Sequence, residues 1–234
     1  MVETILGLVK FTPSGEKSNF SDKYLIKIGK KTIAYFPEGL LDGCELIGKE
    51  KYDARHIVKL YGIGYDNEIH EADFVDVEPL MKILRRYDNG RCYRIAGLVE
   101  GSLIIDGLLI GGYAPGKIVV ASLRDGLSYM QMDSLYLART TTLADELGHS
   151  FGLRHPHEVL KQAKISAPPI DLPTAAPWHE NLCLMLFNSA HFCSCCQKKL
   201  ERFVEVKENL KSFSQRKMDF YSGIEANSNS SKPL

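Results

Sequence analysis

The stretch Leu143–Pro156 reads LADELGHSFGLRHP, and its spacing sets what is expected of the rest of the chain. Residues four apart on a helix share a face, so Asp145 and His149 project the same way. Glu146 sits one step round, beside them. Gly152 is able to take the left-handed conformation that ends a helix, letting the chain turn sharply and His155 swing back toward the other two. Three candidate ligands, an adjacent acid and an open fourth position form the layout of a catalytic zinc site, where water is acidified and a carboxylate accepts its proton. A Glu-x-x-His spacing alone arises often by chance. The stretch gains weight because it continues through Gly152 to a second histidine at the required distance.

The remainder of the chain is ordinary for a globular protein. Its 234 residues suit a single domain, and 44% hydrophobic residues against 25% charged are enough to bury a core. Lys plus Arg equals Asp plus Glu at 29 each, so nothing electrostatic points to nucleic acid or an anionic membrane as partner. The N-terminal MVETILGLVKFTPSGEK carries an acid at position 3 and a short apolar run, a poor export signal that reads better as a first strand. With no apolar run near the roughly 20 residues of a membrane span, a cytoplasmic protein is expected, and it is taken to be a monomer.

The pattern along the chain is α+β. Strands are expected at Thr4–Lys10, Tyr24–Ile28 and Thr32–Phe36, punctuated by Gly, Pro and Asp. Glu78–Tyr87 places Leu80, Ile83, Leu84 and Tyr87 at helical spacing. Tyr93–Val99, Leu103–Tyr113 and Lys117–Leu123 read as strands, the last two joined as a hairpin by Ala-Pro-Gly at 114–116. A long helix is expected over Met130–Phe151, a proline-rich loop over 158–180, and a last helix over Gln197–Phe213. The small, polar residues 222–234 are expected to be a disordered tail.

Of the six cysteines, Cys183, Cys193, Cys195 and Cys196 crowd into one window. Without an export signal, such clustering favours metal ligation over a disulfide framework.

Taken together these motifs have a family likeness. The helix resembles the metzincin pattern H-E-x-x-H-x-x-G-x-x-H, and Cys183-Leu184-Met185 followed by Phe192-Cys193-Ser194-Cys195-Cys196 resembles the C-x-M and F-C-x-x-C elements of the archaemetzincins. The likeness extends over about residues 93–202. It implies a metzincin-like domain over 1–221: a twisted mixed sheet with a long active-site helix over 1–152, and a C-terminal zinc-binding subdomain over 153–221. It further implies a peptide or protein substrate, a zinc ion on Asp145, His149 and His155, Glu146 as general base, and Met185 in the turn beneath the metal. A second, structural zinc is implied on Cys183, Cys193 and Cys196.

Two departures from the pattern bear on activity. Asp145 stands where the first histidine belongs. Carboxylates do bind zinc, but a shorter, charged ligand weakens Lewis acidity and favours harder cations. Pro156 stands where the first structural cysteine belongs, which leaves His157, Cys195 or His179 as fourth ligand, or the second site lost altogether; alternatively His157 or His179 could reach the first site and replace the missing histidine. A zinc peptidase is therefore the leading expectation. The alternatives are an inactive metzincin fold that binds a peptide or protein partner, and a purely structural zinc module.

Overall fold

The computed structural model describes residues 4–63, 69–124, 135–154, 192–194 and 196–209. Among them, β1 (Ile5–Pro13), β2 (Gly43–Tyr52), β5 (Arg94–Val99), β9 (Ile118–Ser122) and the short β8 (Gly112–Tyr113) form a mixed sheet in the order β2-β1-β5-β9-β8. β2, β1, β5 and β9 run parallel, and β8 lies antiparallel on β9 at the edge. Parallel strands need both faces covered, which explains the near-continuous apolar run of β1 and the complete burial of β9.

The two faces are covered differently. One side of the strands packs Leu6, Leu8, Ala96, Leu98, Val119 and Ala121 beneath helices α1 (Asp22–Ile33) and α3 (Leu135–Ser150). The other packs Val9, Phe11, Ile95, Val99, Ile118 and Val120 beneath α2 (Val77–Leu84). A second sheet of β3 (Ile57–Ile63), β4 (Ile69–Asp76), β6 (Leu103–Ile105) and β7 (Leu108–Ile110) flanks this α2 side, in the order β3-β4-β6-β7.

The helix expected over 78–87 is present as α2, capped by Asp76 and prolonged by a 3-10 turn over Arg85–Tyr87. The strands expected at Tyr24–Ile28 and Thr32–Phe36 are not strands. Residues 22–33 form α1, whose Ser21 side chain accepts from the Tyr24 amide and whose Leu25, Ile28 and Thr32 fall on one buried stripe. Gly29 completes that stripe, since a Cβ there would lie 2.8 Å from the Cys44 sulfur and 2.9 Å from Leu8. Close packing on β1 and β2 thus overrides the strand preference of the isoleucines.

The single strand expected over Leu103–Tyr113 is three. Asp106 and Gly107, at φ 49° and 77°, make the two-residue turn that folds β7 back on β6, and only β8 pairs with β9 across the expected turn at 114–116. α3 occupies the long helix foreseen there, residues 130–134 lying outside those described. Residues 196–209 form a further helix, α4. The proline-rich 158–180 and the tail 222–234 also lie outside the described residues. No helix among the described residues is long and apolar enough to cross a membrane.

Asp42 ties α4 to the sheet. Its Oδ2 accepts from the Thr4 amide at 2.9 Å and the Thr4 hydroxyl at 2.7 Å, with the Lys207 ammonium at 3.2 Å. The Thr4 amide above all, together with the Thr4 hydroxyl and Lys207, holds the Asp42 carboxyl down at about 2, against an ordinary 3.8. A carboxyl depressed in the folded state contributes stability above its unfolded pKa and loses it as pH falls through the folded one. Asp42→Asn should therefore lower the melting temperature at neutral pH by a few degrees. The gap to the wild type should close as pH falls from 3.8 toward about 2. A gap independent of pH overturns this assignment.

Candidate metal centre

α3 crosses β9 and reaches β8, turning Leu143, Ala144, Leu147 and Phe151 into the core. Asp145 and Glu146 on the same helix are nonetheless only 2% and 7% exposed. The helix ends as expected. Gly152 takes φ 76°, its amide donates to the His149 carbonyl at 2.8 Å, and the Leu153 amide donates to the Gly148 carbonyl at 3.0 Å. These paired bonds are a Schellman closure, available at low cost only to glycine.

That closure also orients His149. The Leu153 carbonyl, brought back over the helix end, lies 3.0 Å from His149 Nδ1. A carbonyl only accepts, so Nδ1 carries the proton, and in the neutral ring Nε2 is left with a lone pair. Nε2 faces Asp145 Oδ2 at 3.7 Å. This is too long for a hydrogen bond. It is close to the roughly 3.4 Å that separates two donors bound tetrahedrally to one zinc at about 2.0–2.1 Å. An imidazole fixed through its far nitrogen by a backbone carbonyl is the usual support of a metal-ligating histidine. These two donors, one oxygen and one nitrogen, are of the types that zinc takes, and no third joins them among the described residues.

The end of α3 is clamped from the sheet. Arg94, at the start of β5, donates through Nε to the Ser150 hydroxyl at 3.0 Å and through NH2 to the Ser150 carbonyl at 3.2 Å. Its guanidinium stacks 4.2 Å from the Phe151 ring and 4.5 Å from that of Tyr93. Burial lowers its pKa from the ordinary 12.5, but a cation at a helix C-terminus remains favourable.

Glu146 lies against the edge strand. A Cβ built on Gly112 would stand 2.5 Å from Glu146 Cγ, 2.7 Å from its Cδ and 2.5 Å from the Val120 carbonyl. The glutamate thus occupies space that only glycine leaves open. Loss of solvent, and secondarily the neighbouring Asp145, raises the Glu146 carboxyl well above the ordinary 4.5.

The register of β8 decides what its backbone offers. The Ser122 amide donates to the Gly111 carbonyl at 2.8 Å, making this a hydrogen-bonded position of the ladder. Bonded and non-bonded pairs alternate, so Tyr113–Val120 is bonded and Gly112–Ala121 is not. The N–H and C=O of Gly112 therefore point away from β9, toward an edge on which no further strand pairs among the described residues.

Asp145, Glu146 and His149 are thus brought together on α3, while His155, His157, His179, Cys183, Met185 and Cys195 lie outside the described residues. Among those described, no group of three His, Cys, Asp or Glu side chains gathers at one point. Cys193 and Cys196 are buried, 1% and 3% exposed, in the core that also holds Phe151, Phe192 and Leu200. Gly112 was missed by sequence reasoning, although paired glycines at 111–112 inside an apolar run are a signal of close backbone approach.

No protein-family model matches the chain, and no curated protein matches it in sequence. Among solved structures, the chain is similar to archaemetzincin from Methanopyrus kandleri. The TM-score is 0.52 at 19% identity, over 87% of this chain and 97% of that one. The likeness establishes a shared fold, a mixed sheet covered by helices, over most of both chains.

Gly112→Ala should force Glu146 or β8 to move, because one of the atoms it meets is backbone. A destabilisation of about 1–3 kcal/mol is expected from such overpacking, measured by denaturant unfolding. Unchanged stability would show that Glu146 is not held against β8.

Proposed function

We propose that the chain is a zinc-dependent peptidase of the archaemetzincin type. Residues 1–221 form its domain, and Asp145, His149 and His155 hold the ion. The observation that carries this is the position of Glu146, buried beside the Asp145–His149 pair and pressed against an edge strand whose Gly112 backbone faces outward. The likeness to a structure named archaemetzincin supports the same reading through the fold.

When bound, zinc supplies Lewis acidity that polarises a carbonyl and makes water a better nucleophile. The other tasks fall to the chain. A peptide adds to the edge as a further strand, bonded by the Gly112 N–H and C=O, which fixes the scissile bond over α3. Glu146 takes a proton from the attacking water at a carboxylate oxygen and returns it to the departing amine nitrogen. His149 is kept in one ring orientation by Leu153. Cys183, Cys193 and Cys196 hold a second, structural zinc in the proposal, with His157 or Cys195 as fourth ligand.

The test is metal content and cleavage measured together. The purified chain should carry two zinc ions and His149→Ala one, read by mass spectrometry. Glu146→Gln should keep both ions yet cut a peptide library about a hundred- to ten-thousand-fold more slowly, the usual worth of a general base. Unchanged cleavage in Glu146→Gln sinks the mechanism. A single ion that survives His149→Ala turns the reading toward an inactive fold that binds peptides. Asp145→His then separates the cases: a loss of activity marks the aspartate as a working ligand, and a gain marks a retired site.

A further inference from the structure

The edge strand β8 has two faces, and the one turned away from Glu146 borders a pocket. Gly112 pairs with Ala121, whose side chain belongs to the core beneath α1 and α3, and it faces Glu146. Tyr113 pairs with Val120, whose side chain belongs to the core beneath α2, so its ring lies on the opposite side. There it borders a cavity of about 220 Å³ whose apolar wall is Val77 and Met81 of α2, Ile105 at the end of β6, and Pro115. Val77 and Met81, 0% and 6% exposed, form a floor fixed by the core. Lys82 and Arg85 stand at the exposed rim, partly offset by Glu78. The volume is below the roughly 300 Å³ at which small-molecule sites begin, and suits one large side chain.

Any strand added beyond β8 inherits its alternation. The peptide residue opposite Gly112 directs its side chain toward Glu146, and the residue opposite Tyr113 directs its own toward the α2 pocket. Strand addition draws its affinity from main-chain bonds and its specificity from pockets that take alternate side chains. We infer that the cavity between α2, Ile105 and Tyr113 is a specificity subsite for a large apolar side chain (leucine, methionine or phenylalanine) of an edge-docked peptide, one residue away from the one that faces Glu146. This rests on the peptidase reading above for the direction in which the peptide docks, but it requires only binding, not cleavage.

The experiment uses the full chain bearing Glu146→Gln, incubated with an equimolar library of end-blocked decapeptides, the bound fraction being sequenced by mass spectrometry. The expected result is one position enriched in Leu, Met or Phe over Ser and Asp by about ten-fold or more, the discrimination an apolar pocket supplies. Ile105→Trp, which fills the cavity, should move that preference to Ala and Gly. Tyr113→Ala, at a position already 36% exposed and so tolerant of change, should widen it to Trp. Circular dichroism of both variants establishes that they are folded. Peptides bound without positional enrichment, or with one that the folded variants leave unchanged, overturn the subsite. Cleavage of the library by the wild type would in that case leave the peptidase reading standing. Pocket-dependent enrichment without wild-type cleavage supports the subsite and counts against the peptidase. Binding of no peptide overturns both.

Discussion

The close approach of α3 to the sheet edge is the constraint on which the rest of the site depends. Glu146 fits against β8 only because Gly112 has no side chain, and the space is closed from behind by the Val120 carbonyl. Interiors are packed densely enough that a single methyl at such a contact must move something. The contact also couples two tasks. The residue that makes room for the candidate base is the one whose N–H and C=O face outward, so the base is positioned by the backbone that would bind a peptide.

Both ends of this contact are held by the body of the fold. β9, which carries β8, is buried along its whole length and paired on its other side with β5. α3 is clamped at its C-terminus by Arg94, which issues from the start of β5. Helix and edge strand are therefore referenced to the same central strand. A site built on such elements is positioned more accurately than one carried on loops.

How far the sequence revealed this depended on whether the signal was local. The helix over 143–151 and its end at Gly152 were legible, because side-chain spacing and a left-handed glycine are written in consecutive residues. α1 was not, because Tyr24, Ile26, Ile28 and Ile33 favour strands locally, and the decision lay in packing against Leu8 and Cys44. β2, β3 and β4 went unnoticed because their lysines and glutamates break the apolar run; the compensating pair Lys59–Glu71 forms only once β3 and β4 meet. The Asp106–Gly107 turn was locally written and simply outweighed by the long apolar run around it. Gly112 shows the remaining class: its importance lies in what stands opposite, which no single segment contains.

The aspartate at 145 is the departure that most needs a physical account. A carboxylate at 2% exposure costs several kcal/mol unless charge or hydrogen bonds compensate it, and here a second carboxylate, Glu146, is buried beside it. If α3 needed only to pack on the sheet, an apolar residue would serve position 145 better, as at Leu143 and Leu147. Two adjacent buried acids with a histidine nitrogen 3.7 Å from one of them are a donor set of the kind that suits a cation. A negatively charged ligand set would hold a divalent ion more firmly and leave that ion a weaker Lewis acid. In the proposed site, an aspartate in place of a histidine would exchange Lewis acidity for hold on the ion.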